Sequence, residues 1–406
     1  MSVPKLRFPG FTDDWDQHKL GEVGTTYTGL SGKTSADFGH GDARFVTYMN
    51  VYSNAVADPT MVEPVEIDKK QKEVEVGDVF FTTSSETPDE VGMSSVLLEK
   101  QGPTYLNSFC FGYRPTVKFD PFYLAYMLRS ESVRKDIVFL AQGISRYNIS
   151  KNKMMDIAIP VPSFEEQSAI GVFFKNLENL ITLHQRKLEN VQKLKKSMLQ
   201  KMFPKNGEAV PEVRFPGFTD DWEQRKFSDF TFAAGLKNKE NLELEPFAIT
   251  NDKGFVPQSE AHEEFGYMSD VDRTMYIIVK PNSFAYNPAR INVGSLGYYK
   301  GLENVIVSSL YEVFQTSDDV DDNFLNHWFK TCEFQNWIER LQEGSVRLYF
   351  YYDKLCECRM MMPSIHEQKK IGTFLDQIDD IITLHQRKLE MLKALKKGLL
   401  QQMFCN

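Results

Sequence analysis

The sequence predicts an α+β protein in which two mixed α/β domains form a tandem, pseudo-twofold repeat. Each domain is followed by a long helix, and we expect the two helices to pair as an antiparallel coiled coil. Three observations lead to this fold class: a helical stretch occurs twice, a short segment preceding each domain occurs twice, and the residues between them differ almost everywhere. Such repetition indicates that one structural unit is duplicated within the chain.

The two helical stretches, residues 163–203 and 364–404, share the heptapeptide LHQRKLE at a spacing of 201 residues (384 − 183). Apolar side chains recur in both at close to a 3.5-residue period, which is typical of a coiled coil. A helix of about 38 residues would be roughly 57 Å long and needs a partner for that apolar stripe. We therefore expect the two helices to pair through ten seam residues: Leu177, Ile181, Leu188, Val191, Leu194, Ile378, Ile382, Leu389, Leu392 and Leu395.

Each helical stretch has a start signal. Ser163 is followed by Glu166, and Ser364 by Glu367. This spacing predicts a capping box, in which the serine and the glutamate each bond to the other's backbone amide.

The two shared segments at the start of each repeat are Val3–Leu20 and Val210–Phe227, 207 residues apart (210 − 3). Each contains a Pro-Gly turn flanked by aromatic residues. We expect these heads to pack the start of each unit against a scaffold. The predicted domains are residues 1–160 and 210–362, the helices 163–203 and 364–404, and the linker 204–209.

The divergent inserts, Tyr27–Pro160 and Thr231–Pro363, are each predicted to be a mixed α and β domain of about 130 residues. Runs rich in β-branched and aromatic residues predict strands at Arg44–Val51, Asp78–Thr83, Ser283–Tyr286 and Glu303–Ser308. Helical periodicity predicts helices at Pro121–Leu140 and Asn323–Leu341.

The overall charge is acidic, with 47 Lys and Arg against 56 Asp and Glu, a net charge of −9. This disfavours a simple basic nucleic-acid binder. No apolar run has the length of a membrane span, and the first residues have no apolar signal core, so we expect a cytoplasmic protein without membrane contact. Five cysteines without zinc spacing predict free thiols and no metal site.

Motifs for catalysis or cofactor binding are nearly absent. Gly29–Thr34 reads GLSGKT, but a phosphate-binding loop requires glycine at position 27, where the chain has tyrosine. Asn287–Arg290 reads NPAR and lacks the second proline and the aromatic residue of adenine methyltransferase motifs. We therefore predict no catalytic residue and no cofactor.

The arrangement resembles the specificity subunits of type I restriction–modification systems. The resemblance rests on the heads RFPGFTDDW, the two Gly-x-x-Arg loops, the Pro-Ser-x-x-Glu-Gln segments that begin the helices, and LHQRKLE. It covers the whole chain. It implies that each insert is a target recognition domain reading one half of a split double-stranded DNA site, with the paired helices setting the spacing.

The resemblance also implies partners. These are two methyltransferase subunits, which carry S-adenosylmethionine, and restriction endonuclease subunits that cleave with ATP. The alternative is an orphan coiled-coil protein that binds DNA or another protein without a methyltransferase partner. An enzyme in its own right is disfavoured by the missing motifs.

Candidate DNA contacts come from polar loops and cations in the inserts. Gly143–Arg146 and Gly344–Arg347 occupy the same place in both repeats, so Arg146 and Arg347 are the first candidates for phosphate or guanine contact. Pairing of these arginines with the start of each helix is an equal alternative. The loops Ser84–Gly92 and Asn287–Lys300 are candidates for base reading. The full set is Arg146, Tyr147, Arg347, Tyr349, Lys33, Arg44, Ser84, Ser85, Asn287, Arg290 and Lys300.

Overall fold

The computed structural model describes residues 3–205, 208–251, 253–261 and 272–404. The chain divides into two compact units: unit 1 contains residues 1–185 and 387–406, and unit 2 contains residues 186–386. Each long helix is thus shared between the units, a division that the sequence boundaries did not predict. Residues 206 and 207 of the predicted linker 204–209 lie outside the described residues.

Unit 1 combines two sheets with short helices. Its strands are β1 (Asp16–Lys19), β2 (Gly24–Thr28), β3 (Phe38–Val46), β4 (Val62–Val65), β5 (Val79–Thr82), β6 (Ser84–Ser85), β7 (Ser94–Val96), β8 (Thr104–Leu106), β9 (Cys110–Pro115), β10 (Tyr147–Asn148) and β11 (Ala158–Val161). Its helices are α1 (Tyr48–Ser53), α2 (Pro121–Met127), α3 (Glu131–Phe139), α4 (Lys151–Met154) and the first part of α5 (Phe164–Lys201). The main sheets have the orders β2-β9-β5-β7 and β4-β3-β8, and β1-β11 and β10-β6 are separate ribbons.

Unit 2 repeats this plan with different lengths. Its strands are β12 (Glu223–Lys226), β13 (Thr231–Ala233), β14 (Leu236–Lys237), β15 (Phe247–Thr250), β16 (Gly254–Pro257), β17 (Ile277–Val279), β18 (Ser283–Tyr286), β19 (Leu296–Tyr299), β20 (Val305–Val307), β21 (Glu312–Thr316) and β22 (Arg359–Met362). Its helices are α6 (Gln258–Ala261), α7 (Asp322–Trp328), α8 (Cys332–Leu341), α9 (Tyr352–Glu357) and the first part of α10 (Ile365–Met403). The sheets have the orders β13-β21-β18-β19 and β14-β17-β20, with ribbons β12-β22 and β15-β16.

Two sequence predictions for the inserts are corrected. The predicted strand Arg44–Val51 ends at Val46, because Thr47 caps helix α1 by accepting a hydrogen bond from the Asn50 amide at 3.2 Å. The predicted helices Pro121–Leu140 and Asn323–Leu341 are each broken into two short helices, because Ser130 and Thr331 are extended N-cap residues in the middle of each stretch.

The start of α5 corrects the predicted capping box. Ser163 caps the helix as expected, because its hydroxyl accepts a hydrogen bond from the Glu166 amide at 3.3 Å. The Glu166 carboxylate does not return the bond. It accepts Nε and Nη2 of Arg7 at 2.6 and 2.7 Å and the Trp15 indole N–H at 3.1 Å. A bidentate guanidinium is a stronger donor than a backbone amide, so the first head is anchored at the helix start.

The second head is anchored in the same way. Arg214 donates from Nε and Nη2 to Glu367 at 2.7 and 2.8 Å. The expectation that the heads pack against a scaffold is therefore confirmed, and the glutamates of the two Pro-Ser-x-x-Glu-Gln segments supply the acceptors.

The neighbouring glutamine attaches each insert to its long helix. In unit 1 the Gln167 side-chain oxygen accepts the Asp120 amide at 3.1 Å, and its amide group donates to the Pro162 carbonyl at 2.9 Å. A Cβ at Gly171 would lie 2.3 Å from Asp120 Oδ1, so only glycine lets α2 approach α5 this closely. Gln368 makes the corresponding bonds in unit 2.

The helices run antiparallel within each unit. In unit 1, Phe174 of α5 stacks on Phe404, which lies just beyond α10, with ring centroids 5.8 Å apart. Glu178, one helical turn after Phe174, pairs with Lys396, which lies two turns before Phe404. In unit 2, Lys195 pairs with Asp379. Asp379 occupies the position in α10 that Glu178 occupies in α5, and Lys396 the position that Lys195 occupies, because both pairs of positions are 201 residues apart (379 − 178 and 396 − 195). This confirms the predicted coiled coil and its pseudo-symmetry.

The predicted seam is mostly buried, with one corrected position on each helix. The buried or half-buried members are Leu177, Ile181, Leu188, Val191, Ile378, Ile382, Leu389 and Leu392. Leu194 and Leu395 are instead 45% and 47% exposed. The following residue, Lys195 or Lys396, takes the inward position because its ammonium group meets a carboxylate of the other helix.

Candidate nucleic-acid interface

The Gly-x-x-Arg segment of unit 1 forms a hairpin tip. Gln142 and Asn148 close it with two backbone hydrogen bonds of 3.0 and 2.9 Å. Gly143 has φ of +151°, and a Cβ there would lie 2.0 Å from the Arg146 carbonyl oxygen. The motif therefore needs glycine three residues before arginine, because the chain folds back onto that glycine.

Unit 2 builds the same hairpin from a different sequence. Glu343 and Tyr349 exchange two backbone hydrogen bonds of 2.9 Å. Gly344 has φ of +139°, and its Cβ would lie 2.1 Å from the Arg347 carbonyl. The two inserts share this structure although the sequences around it differ.

The hairpin tips present arginine and an apolar side chain to solvent. Arg146 and Arg347 are both exposed, and in the described part of the chain neither guanidinium lies within 4.0 Å of a carboxylate. The alternative that they pair with the helix starts is wrong, because Arg7 and Arg214 occupy that role. Ile144 is 98% exposed and Val346 is 100% exposed.

In unit 1 the hairpin is joined to the predicted base-reading loop. Tyr147 and Asn148 of β10 pair with Ser85 and Ser84 of β6. Tyr48 donates its hydroxyl to the Ser84 carbonyl at 2.8 Å. The structure thus brings Arg146, Tyr147 and Ser85 together at the surface, whereas the predicted contact residue Ser84 is buried at 6% exposure.

In unit 2 a backbone hydrogen bond of 3.0 Å joins the Phe350 amide to the Pro288 carbonyl. The corresponding bond of unit 1 joins Ile149 to Thr83 at 3.0 Å. The hairpin therefore lies beside Asn287 and Arg290, and Tyr349 stacks on Tyr351 with ring centroids 5.5 Å apart. Arg347, Tyr349, Asn287 and Arg290 form the second grouping.

Three predicted contact residues lie elsewhere. Lys33 is ion-paired with Asp68 at 3.0 Å. Arg44 donates to the carbonyls of Gly41 and Ala43, beside a cavity of about 150 Å³ on the β4-β3-β8 side of unit 1. Lys300 is ion-paired with Asp376 of α10 at 3.0 Å.

Sequence reasoning missed the tyrosines and the glutamate of this surface in unit 1. Tyr48 and Tyr52 stack at 6.1 Å, and the Tyr52 hydroxyl donates to Glu90 at 2.6 Å. Ser85 donates to the same carboxylate at 3.1 Å. The signal was the i,i+4 spacing of the two tyrosines, which was hidden because this segment was predicted as a strand.

A half-buried arginine of α3 binds the backbone of the loop that contains Glu90. Arg134 of α3 donates to the carbonyls of Asp89, Val91 and Gly92 at 2.7, 2.8 and 2.8 Å. Burial lowers the pKa of Arg134 to about 10, which leaves it charged at neutral pH. Three charge-assisted bonds to one short turn hold residues 89–92 in a single conformation.

A possible cation-binding group lies in unit 2, where His327, Asp376 and Asp379 bring donor atoms within 4.8 Å of one another. Burial opposes ionisation of Asp376, but hydrogen bonds from His327 and Lys300 hold its pKa at about 2. Lys195 and Lys330 pair with Asp379, and Lys300 pairs with Asp376. Because these ammonium groups already neutralise the carboxylates, the group is better described as an ion-pair cluster than as a metal centre.

None of the helices in the described ranges is long and apolar enough to cross a membrane.

Comparison with known proteins identifies the repeated unit. Residues 12–193 and 220–394 each match the type I restriction modification DNA specificity domain. The MjaX type I restriction enzyme specificity subunit of Methanocaldococcus jannaschii is 23% identical over 408 residues, covering 96% of this chain and 92% of its own length. The MjaVIII specificity subunit of that organism is 22% identical over 294 residues, covering 69% of this chain and 68% of its own.

The fold is also similar to a solved structure. The type I restriction–modification S subunit from M. genitalium has a TM-score of 0.62 at 14% identity, covering 100% of this chain and 99% of that one. Both specificity-domain matches extend from an insert into the long helix that follows it. The chain therefore belongs to the family of type I restriction modification DNA specificity proteins, with two copies of the specificity domain in tandem.

Proposed function

We propose that this chain is the DNA-recognition subunit of a type I restriction–modification complex and that each unit reads one half of a bipartite double-stranded DNA site. The observation that carries the proposal is the repeated Gly-x-x-Arg hairpin. It occurs at the same place in two units, with an exposed arginine that pairs with no carboxylate of the described ranges and lies beside loops that differ between the units. Shared arginines suit contacts to the phosphate backbone, and differing neighbours suit base reading.

The acidic total charge is compatible with this role, because DNA contact requires only a local basic surface. Near the hairpin of unit 1, Arg146 is followed by Lys151 and Lys153 of α4, with Lys153 exposed. In unit 2, Arg290 and Arg347 are both exposed. We propose these cations as the DNA contacts of the two units.

The paired helices are proposed to set the spacing between the half-sites and to bind two methyltransferase subunits. Leu183, Leu194, Leu384 and Leu395 leave much of their surface exposed on these helices, so apolar surface is available there to a partner subunit. Restriction endonuclease subunits would join the same complex, in the cytoplasm. The chain itself is proposed to be non-catalytic.

The arginines provide the first test. Arg146→Ala and Arg347→Ala should each weaken DNA binding by the complex with its methyltransferase subunits, without lowering the melting temperature. Loss of a base contact would cost about 1–3 kcal/mol and relax one position, whereas loss of a phosphate contact would weaken all sequences and reduce the salt dependence.

The matched control is Arg359→Ala, which removes the same charge from an exposed position of β22 in unit 2. Unchanged DNA affinity in both hairpin variants, with all three proteins folded, would contradict the proposed interface.

The spacing role has its own test. One heptad added after Leu188 and one after Leu389 keeps the seam in register. The insertion lengthens each helix by about 10 Å, so the preferred spacer could grow by up to roughly 3 base pairs. The measurement is selection from DNA with randomised spacing. An unchanged spacer in a folded, DNA-binding variant would show that these helices do not set the distance.

The alternative of an orphan coiled-coil protein is distinguished by co-purification, since a specificity subunit should retain a methyltransferase. The purified chain alone should neither bind S-adenosylmethionine nor methylate DNA.

A further inference from the structure

The recognition surface of unit 1 contains a fixed carboxylate. Glu90 follows β6, and its two oxygens accept hydrogen bonds from the Tyr52 hydroxyl at 2.6 Å and the Ser85 hydroxyl at 3.1 Å. Ser85 is itself paired with Tyr147 of the hairpin. These contacts place Glu90 next to the tyrosine pair and the strand of the arginine hairpin, and the residue is half-buried, so part of its surface is open to solvent.

A cation does not explain this carboxylate. In the residues that the structure describes, no Lys, Arg or His nitrogen lies within 4.0 Å of Glu90. The nearby Arg134 directs its donors to backbone carbonyls. Hydrogen bonds from Tyr52, Thr87 and Ser85 lower the pKa of Glu90, so the group is ionised at neutral pH.

An anion held on a surface that faces DNA is repelled by the phosphates unless it meets a donor in a groove. The hydroxyl groups of Tyr52, Thr87 and Ser85 occupy three acceptor positions of the Glu90 carboxylate, and a carboxylate has about four such positions. The remaining position suits an exocyclic amino group, which cytosine and adenine present in the major groove. The Tyr52 and Ser85 bonds fix the carboxylate in advance, which reduces the entropy lost on binding.

We propose that Glu90 is a specificity-determining residue of unit 1, accepting a hydrogen bond from the amino group of a cytosine or adenine in the first half-site. This inference rests on the proposed function.

The experiment uses the chain in complex with its methyltransferase subunits and selects bound sequences from DNA in which both half-sites are randomised. Glu90→Gln keeps an acceptor for Tyr52 but replaces one carboxylate oxygen by a donor. We expect preference for the amino-bearing base at one position of the first half-site to fall by about tenfold. The second half-site should be unchanged. The selected base distinguishes cytosine from adenine.

Glu86→Gln is the matched control, because it removes the same charge from an exposed position of the same loop. It should leave the preferred sequence unchanged. Tyr52→Phe keeps the carboxylate but removes one support, and it should reduce discrimination at the same position by a smaller factor.

The outcomes separate the two proposals. If Glu90→Gln selects the wild-type sequence, or weakens all sequences equally, Glu90 only ties the loop together and the inference is overturned. If the wild-type complex selects no bipartite site, the proposed function fails first. Because a loss of folding could imitate either result, the melting temperature of each variant and the unchanged second half-site serve as internal checks.

Discussion

Replacing Arg7 by methionine should destabilise unit 1 while leaving unit 2 intact. Arg7 donates two hydrogen bonds to Glu166, whose side chain is 1% exposed, while the Arg7 side chain is 12% exposed. Removing the cation leaves a buried carboxylate that keeps the hydrogen bond from the Trp15 indole. Breaking a buried ion pair from one side costs about 3–5 kcal/mol. The Trp15 bond remains, so we expect the lower end of that range.

The reverse substitution should cost less. In Glu166→Gln the amide oxygen can still accept the Trp15 bond, and Arg7 retains some access to water. The double variant Arg7→Met with Glu166→Gln removes both charges, so it should recover to within about 2 kcal/mol of the wild type. A double-mutant cycle then gives the coupling energy.

The assay is native-state hydrogen exchange read by mass spectrometry, because two units in one chain need not unfold as one transition. Peptides from residues 164–185 report on unit 1, and peptides from unit 2 serve as the internal control. Arg214→Met is the matched variant and should reverse the pattern, since Arg214 holds Glu367 in the same geometry. A change below about 0.5 kcal/mol in Arg7→Met, the scale of a surface substitution, would refute the reasoning.

Three further changes test other parts of the structure. Gly143→Ala should weaken DNA binding at least about tenfold, the scale of one lost contact, without a fall in melting temperature, because its Cβ meets the Arg146 carbonyl and reshapes only the hairpin tip; normal affinity would contradict the role of the hairpin. Gly398→Ala in α10, where a Cβ meets nothing within 4 Å, should stabilise unit 1 by up to about 1 kcal/mol in the same exchange assay. Burial, aided by the charges of Lys330 and Lys195, lowers the pKa of His327 despite its bond to Asp376. The unfolded histidine binds its proton below about pH 6.5 and the folded one only at lower pH. The free energy of unfolding of unit 2 should therefore decrease below about pH 6.5 by at most about 1.4 kcal/mol per pH unit. His327→Gln should remove that part of the slope in unfolding measured between pH 7.5 and about 5.5.

The repeated parts of the chain could be predicted from sequence because a segment that occurs twice is expected to adopt the same structure in both copies, so each copy supports the prediction for the other. The predicted helices 163–203 and 364–404 are found as Phe164–Lys201 and Ile365–Met403. The partner of Glu166 could not be predicted, because a capping box uses a local bond and Arg7 is distant in sequence. The predicted seam wrongly included Leu194 and Leu395. A period of 3.5 residues does not show whether a leucine or the lysine that follows it faces the other helix.

The candidate site was only partly predictable. The Gly-x-x-Arg segments were found because they occupy matching positions, but the tyrosine pair and Glu90 belong to unit 1 alone and have no second copy to mark them. The short helix α1 also depends on a single cap at Thr47. Local signals of this size are easily outweighed by the strand preference of neighbouring residues.

The ribbons that join each head to the end of its insert have an evolutionary consequence. In unit 1, β1 pairs with β11 from Asp16↔Val161 to Lys19↔Ala158, and β12 pairs with β22 in the same manner. The polypeptide therefore leaves the scaffold and returns to it at neighbouring points, which are joined by backbone hydrogen bonds that do not depend on side-chain identity. The glutamine and glycine contacts of the long helix add side-chain contacts to the insert. Two crossovers between related genes, one in the head codons and one in the helix codons, would transfer an intact insert. A lineage could thus inherit a new reader, provided that the insert keeps the aspartate, Asp120 or Asp321 here, that meets the glutamine and glycine of the long helix.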